Sequence, residues 1–102
     1  MNAKKWNAVE CPEFIEGQYL TYILHCKDDS YYVGSTGNLS ERLLGHNNLR
    51  GSYWTRTRIP VMLVYYEKFG TLALANRREK QLKKWTRNKK EKLITGEWGK
   101  VN

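Results

Sequence analysis

Apolar and polar positions alternate in short blocks along the chain, and the first two blocks predict a β-hairpin. Residues 19–26 are rich in aromatic and β-branched side chains, residues 27–30 supply turn-forming side chains, and residues 31–35 are apolar again. Two such runs joined by a short polar turn are typical of paired strands. The hairpin ends near Gly37.

The blocks that follow predict a helix, a strand and two more helical segments. Asn38 with Glu41 three residues later fits a helix start, so we expect a helix over residues 39–47. Residues 61–69 are almost continuously apolar, which predicts a central strand buried on both faces. Helices are expected over residues 72–86 and 89–94. The order β-β-α-β-α-α predicts an α+β fold with a three-stranded sheet.

The length of 102 residues leaves room for one hydrophobic core. We expect an arm over residues 1–18, one domain over residues 19–96 and a tail over residues 97–102. No run of 18 apolar residues and no apolar leader segment occurs, so a cytoplasmic protein without a membrane partner is expected. Cys11 and Cys26 are too few for a disulfide scaffold and are expected to be free thiols.

The charge is concentrated near the end of the chain. The formal net charge is +8, from 18 Lys and Arg against 10 Asp and Glu. Residues 77–92 hold nine of the basic side chains and only two acids. Such a block suits a polyanionic partner, because each neutralised phosphate releases counterions. The alternative is a solvated, lysine-rich helix face.

Glu79 stands where the predicted second helix should be apolar. The 3-4 spacing of Leu72, Ala75, Glu79 and Leu82 puts it on the expected core-facing stripe. A carboxylate there is costly unless it is paired or binds a cation. The pattern leaves two interpretations open, an ion pair with a neighbouring Arg or a metal ligand.

The first helix carries a similar polar pair at the border of its buried side. Leu39 and Leu43 mark that side, and Arg42 and His46 share its edge. A histidine in such a place is either a hydrogen-bonded core residue or a functional group.

The hairpin adds two phenols and a glycine. Tyr22 shares one face of the first strand with Leu20 and Leu24, and Tyr32 shares one face of the second with Gly34. A glycine inside a strand predicts a close approach to the backbone. Together with the helix residues, these tyrosines are available to one small site in a basic protein.

These residues resemble the GIY-YIG endonuclease superfamily, and in particular its small stand-alone bacterial proteins. The resemblance spans about residues 19–94 and rests on an ordered set of short motifs. They are Leu20-Thr21-Tyr22, Tyr32-Val33-Gly34, Asn38-Leu39-Ser40-Glu41-Arg42 with His46, Thr55-Arg56-Thr57-Arg58-Ile59-Pro60, Arg78-Glu79 and the basic segment Lys89-Lys90-Glu91-Lys92-Leu93-Ile94. Leu20 stands where the first motif has glycine, and Ser35 where some relatives have lysine.

The resemblance implies hydrolysis of a DNA phosphodiester on a three-stranded antiparallel sheet flanked by helices. It implies that Tyr22 and Tyr32 orient or deprotonate the attacking water and that Arg42 binds the scissile phosphate. It also implies that His46 holds a tyrosine or moves a proton, and that Glu79 ligates one Mg²⁺ or Mn²⁺ ion.

Two function classes remain open from the sequence. The first is a metal-dependent DNA endonuclease acting on a branched, flapped or single-stranded substrate, with DNA repair as its expected process. The second is a non-catalytic nucleic-acid-binding module in which Glu79 pairs with Arg42. In either class, six basic side chains are expected to contact DNA: Arg56, Arg58, Lys83, Lys84, Lys89 and Lys90. The oligomeric state and any protein partner that provides specificity are left open.

Overall fold

The protein was examined as a computed structural model that describes residues 8–47 and 58–96. Three strands and three helices occur in this part of the chain, in the predicted order β-β-α-β-α-α. The strands are β1 (Tyr19–Cys26), β2 (Tyr31–Thr36) and β3 (Val61–Phe69). The helices are α1 (Leu39–Asn47), α2 (Leu72–Lys83) and α3 (Arg87–Thr95). The predicted α+β class is therefore confirmed.

The three strands form one antiparallel sheet with the spatial order β2-β1-β3. Tyr22 of β1 pairs with Gly34 on one side and with Tyr66 on the other. The prediction that residues 61–69 form the central strand is wrong, because β3 lies at an edge. Its apolar run arises because side chains pack against both of its faces. A continuous apolar run indicates that both faces of a strand are buried. It does not indicate how many strands lie beside it in the sheet.

One face of the sheet packs against α1. Leu20, Tyr22 and Leu24 of β1 form a buried cluster with Leu39 of α1, which is 2% exposed. Leu43, one turn further along α1, packs against the same cluster. The alternation of side chains along β1 therefore directs Tyr22 toward the helix that carries Arg42 and His46.

The opposite face packs against α2 and α3. Ile23 of β1 and Leu82 of α2 are fully buried in a second cluster, which Leu93 of α3 contacts. A buried hydrogen bond also joins β1 to α2, because the Thr21 hydroxyl donates to the Ala75 carbonyl at 2.7 Å. None of the helices in the two described ranges has the length and apolar character to cross a membrane.

Thr86 determines where α2 ends and α3 begins. The sequence predicted one helix over residues 72–86 and another from residue 89, whereas α2 ends at Lys83 and α3 begins at Arg87. The Thr86 side chain accepts a hydrogen bond from the Lys89 backbone N–H at 3.2 Å. It therefore caps α3 and cannot continue α2.

The outer edge of β3 is partly covered by two other segments. The Val9 backbone N–H donates to the Leu63 carbonyl at 2.9 Å. The Asn47 side chain donates to the Val61 carbonyl at 3.1 Å and accepts from the Val61 N–H at 2.8 Å. The described part of the N-terminal arm is thus attached to the sheet.

Candidate active site

The Tyr22 phenol lies at the centre of the candidate site. Its side chain is fully buried in the middle of the central strand. The residue beside it on β2 is Gly34, and a Cβ atom at that position would lie 2.6 Å from the Tyr22 hydroxyl oxygen. The close approach predicted from the glycine is confirmed, and the group that approaches is the Tyr22 ring.

Helix α1 brings His46 and Arg42 to this phenol. The Asn38 side chain accepts from the Glu41 N–H at 3.2 Å, so the predicted cap fixes the start of the helix. His46, seven residues after the first helical residue, is 1% exposed, and its Nε2 atom lies 3.1 Å from the Tyr22 hydroxyl oxygen. Arg42 lies one turn before His46 on the same helix, within electrostatic range of Tyr22.

Tyr32 completes an aromatic cluster around the imidazole. Its ring centroid lies 5.1 Å from that of His46 in an edge-to-face arrangement. The Tyr22 ring lies 6.4 Å from Tyr32 and 6.2 Å from His46. Tyr32 is only partly buried, so of the two phenols it is the more accessible to a substrate.

Burial sets the protonation states of the site. Desolvation raises the pKa of Tyr22, Tyr32 raises it further, and the positive charge of Arg42 acts in the opposite direction. Desolvation, with a smaller contribution from Arg42, lowers the pKa of His46. At neutral pH the site therefore holds a protonated Tyr22 phenol and a neutral imidazole.

Glu79 lies on α2, which packs against the face of the sheet opposite to α1. Its negative charge contributes to the raised pKa of Tyr22, so the two groups interact electrostatically. The Glu79 side chain is 21% exposed; its Oε1 accepts from the Ser35 hydroxyl at 2.5 Å and its Oε2 pairs with Lys83 Nζ at 2.8 Å. The expected ion pair with a neighbouring Arg is absent among the described residues, because a lysine one turn further along α2 takes that place.

The five predicted catalytic residues come from four elements, and direct contacts join three of them, those on β1 and β2 and the histidine of α1. Tyr22 lies on β1, Tyr32 on β2, Arg42 and His46 on α1, and Glu79 on α2. A polar cavity of about 260 Å³ is lined by Thr36, Asn38, Glu41, Arg42 and Gly45. Of the five residues, Arg42 therefore borders a space open to a ligand.

The predicted DNA-contacting residues fall into different environments. Arg56 lies outside the described residues. Arg58 pairs with Asp28 at 2.9 Å, and Lys89 lies over the Trp85 ring at 5.0 Å. Desolvation lowers the pKa of Lys90, which is partly buried. Lys83, the last residue of α2, pairs with Glu79, and Lys84, which caps that helix, is exposed.

Two basic residues of α2, Arg77 and Lys80, were not singled out from the sequence as DNA contacts. Together with Lys84, which caps the end of the helix, they are exposed and form no ion pair with a residue of the described ranges. Their spacing of three and four residues places them on one stripe of the helix. This periodicity was available in the sequence and would have identified Arg77 and Lys80.

Arg78, in contrast, is committed to the fold. Its guanidinium donates to both carboxylate oxygens of Glu67, at 2.9 and 3.0 Å, and its CZ atom lies 5.2 Å from the Trp85 ring centroid. A bidentate pair of this kind fixes the orientation of both side chains. Arg78 therefore ties α2 to β3.

Two contacts of Ser35 also escaped the sequence reasoning. Ser35 Oγ lies 2.5 Å from Glu79 Oε1 and 2.6 Å from Asn76 Oδ1. Asn76 precedes Glu79 by three residues and therefore lies beside it on α2. The alternation of β2 puts Ser35 on the face that meets α2, but only the packed structure shows which helix residue it reaches.

Comparison with known proteins identifies the family. A family model described as the GIY-YIG catalytic domain matches residues 18–92. A UPF0213 protein of Clostridium perfringens is 51% identical over 74 residues, which is 72% of this chain and 80% of that protein. A UPF0213 protein of Staphylococcus haemolyticus is 43% identical over 77 residues, covering 76% of this chain and 94% of the relative.

Two solved structures are similar to this fold. The solution NMR structure of a protein from E. faecalis aligns with a TM-score of 0.56 at 34% identity, covering 83% of this chain and 91% of that one. The solution NMR structure of a UPF0213 protein from Bacillus halodurans aligns with a TM-score of 0.50 at 37% identity, covering 76% and 83%. With the matched domain and these relatives, the chain belongs to the GIY-YIG family, among small stand-alone proteins similar to the UPF0213 group.

Proposed function

We propose that this chain is a divalent-metal-dependent endonuclease that hydrolyses phosphodiester bonds of DNA in the cytoplasm. The observation that carries the proposal is the packing of a neutral histidine and a second tyrosine around the buried Tyr22 phenol, next to the helix edge that also carries Arg42. Membership of the GIY-YIG family supports a nuclease activity.

The donor set suits one hard cation. Glu79 is a single, partly exposed carboxylate, and no cluster of three His, Cys, Asp or Glu side chains occurs in the described ranges. Mg²⁺ and ions like it keep several water ligands and share substrate phosphate oxygens, so one protein carboxylate is a sufficient anchor. When bound at Glu79, Mg²⁺ or Mn²⁺ would neutralise charge that develops on the phosphate.

Arg42 is proposed to bind the scissile phosphate. Arg42 lines the polar cavity, and its positive charge acts on the buried Tyr22. The fork of N–H donors on an arginine matches phosphate oxygens, and its charge stabilises negative charge that develops there. Tyr22 has a separate role, since its hydrogen bond holds the His46 imidazole.

Tyr32 and His46 are proposed to handle the proton of the attacking water. Tyr32 is the more accessible phenol, and its ring packs against a neutral imidazole that can accept a proton. Tyr22 has a raised pKa and stays protonated, so it orients groups and does not act as a base. Of the two tyrosines expected to orient or deprotonate the water, only Tyr32 is therefore proposed to take part in proton transfer.

One observation favours the second function class, a nucleic-acid-binding module without turnover. The Glu79 carboxylate already has a cationic partner in Lys83. A carboxylate satisfied in this way can serve the structure alone. The two classes differ in a measurable property, since only the nuclease needs a divalent ion to change its substrate.

The test is a cleavage assay with end-labelled branched, flapped and single-stranded DNA in Mg²⁺, Mn²⁺ or EDTA. We expect cleavage in either metal and none in EDTA. Glu79→Gln and Tyr32→Phe should each lower the rate by at least about 100-fold, as the loss of a charge-stabilising or proton-transferring group does. Glu13→Gln, an exposed acid in the N-terminal arm, is the matched control and should cleave normally.

Two results would overturn the nuclease proposal. Cleavage that continues in EDTA and survives both substitutions would point to a contaminating enzyme. Tight DNA binding without cleavage of any substrate in either metal would favour the binding module.

A further inference from the structure

The two oxygens of the Glu79 carboxylate contact different groups. Oε1 accepts from the Ser35 hydroxyl of β2, and Oε2 pairs with Lys83 Nζ of α2. The first contact links two packed elements, and Ser35 is itself partly buried. The second is an ion pair within one helix, and its lysine side chain is 51% exposed.

Asn76 fixes the direction of the Ser35 hydroxyl. Ser35 Oγ lies 2.6 Å from the Asn76 carboxamide and 2.5 Å from Glu79. A hydroxyl has one proton to donate, and the charged carboxylate is the stronger acceptor. The network is satisfied when Ser35 donates to Glu79 and accepts from the Asn76 NH₂ group, an arrangement that a half-turn of the amide provides.

The contact with Lys83 is much easier to break. Exposed ion pairs between residues four apart on a helix contribute little, because water solvates both partners well. The released ammonium would be in solvent, where a DNA phosphate can pair with it. The hydroxyl contact has no such freedom, because β2 and α2 hold both of its ends.

The geometry points to different roles for the two oxygens of the Glu79 carboxylate. Ser35, supported by Asn76, is a positioning residue that holds Oε1. Oε2 is the atom at which Lys83 and a divalent cation exchange. This rests on the proposed metal-dependent function and adds the residues that orient the ligand and compete for it. A carboxylate that is already oriented binds a metal more tightly, because less freedom is lost on binding.

The two contacts predict opposite effects on metal affinity. We would titrate each purified full-length protein with Mn²⁺, without DNA, and follow the electron paramagnetic resonance signal of the free ion. Ser35→Ala should weaken Mn²⁺ binding about tenfold, at the lower end of the range for groups that orient a metal ligand. Lys83→Met should strengthen it about twofold, because a competing cation is removed.

The conservative and control variants separate positioning from folding. Ser35→Thr keeps the hydroxyl on a residue suited to a strand and should restore wild-type affinity. Asn76→Ala should weaken binding less than Ser35→Ala does. Ser40→Ala and Lys68→Met remove an exposed hydroxyl and an exposed charge elsewhere and should leave the affinity unchanged. Thermal unfolding without metal would be measured for every variant.

Each outcome bears on the inference. Ser35→Ala that unfolds at a lower temperature yet keeps its Mn²⁺ affinity would make Ser35 only a tie between β2 and α2, and would overturn its positioning role. Unchanged or weaker binding by Lys83→Met would overturn the exchange at Oε2. If Glu79→Gln binds Mn²⁺ as well as wild type, the metal site of the proposed function fails and this inference fails with it.

Discussion

The His46 imidazole is a neutral group in a basic protein, because it is buried among aromatic rings and lies near a cation. It is 1% exposed, lies against Tyr22 and Tyr32, and has Arg42 nearby. The sequence left open whether this histidine is a core residue or a functional one. It is a core residue by burial, and its hydrogen bond to the central phenol makes it part of the candidate site as well.

The lowered pKa of His46 predicts a pH dependence of stability. In the unfolded chain a histidine protonates near pH 6.5, whereas in the fold it resists protonation until a lower pH. Between these two values the unfolded state binds more protons, so stability falls as the pH is lowered from about 6.5. Above that pH the imidazole is neutral in both states and its contribution is fully present.

The measurement is urea unfolding of wild type and His46→Gln between pH 5 and 8. We expect the free energy of unfolding of wild type to fall more steeply below pH 6.5 than that of the variant. The two proteins differ only at residue 46, so the difference between their curves reports this imidazole alone. Parallel curves would show that the fold does not exclude the His46 proton.

At the scale of a single element, helix α2 has two sides with different roles. Ala75 and Leu82 are fully buried against the sheet, and Glu79 at the edge of that side contacts Ser35 of β2. Arg77 and Lys80 belong to the exposed stripe. The same helix therefore holds the candidate metal ligand and presents positive charge to solvent.

This stripe predicts which basic residues set the salt dependence of DNA binding. We would neutralise it with the combined variant Arg77→Gln, Lys80→Gln and Lys84→Gln. The matched variant Lys89→Gln, Lys90→Gln and Lys92→Gln removes the same charge from α3, where Lys89 lies over Trp85 and Lys90 is partly buried.

Each phosphate contact contributes about 0.9 to the slope of log affinity against log salt. The α2 variant should therefore lower the magnitude of that slope by about 2 to 3, and the α3 variant should lower it less. Fluorescence anisotropy with duplex DNA from low to moderate salt measures both slopes. A larger loss for the α3 variant would place the DNA on the other helix.

At the scale of the whole molecule, the sheet is the scaffold on which separate elements meet. β1 supplies the central phenol, α1 packs on one face and α2 on the other. Tyr22 and His46, 24 positions apart in the sequence, are thereby joined by a hydrogen bond. The aromatic cluster exists only where α1 is docked on the sheet.

Local signals in the sequence predicted the elements and the candidate site residues. Asn38 marked the start of α1, Gly34 marked a close approach, and the spacing of Arg42 and His46 marked a shared helix edge. These features depend on neighbours within a few residues or on alternation along one strand, which a sequence displays directly.

Features that depend on packing between distant segments were not predictable in the same way. The central position of β1 is set by pairing with β2 and β3, and no single run records it. Leu72 matched the buried stripe of α2 yet is 46% exposed, because it lies at the first turn beyond the packed surface. The contact of Ser35 with Glu79 spans 44 residues. The domain limits at residues 18 and 96 stay a prediction.

The covered edge of β3 has a consequence for the behaviour of the protein in solution. An exposed apolar edge strand is a template for pairing with another molecule and for aggregation. Here the Asn47 side chain makes the two hydrogen bonds to the Val61 backbone that a neighbouring strand would make. The Val9 backbone N–H donates to the next outward carbonyl, that of Leu63. We expect Asn47→Ala combined with removal of residues 1–10 to give concentration-dependent aggregation in light scattering. The control Asn88→Ala, at an exposed position of α3, should remain monodisperse. The arm and one carboxamide would then protect the protein from self-association.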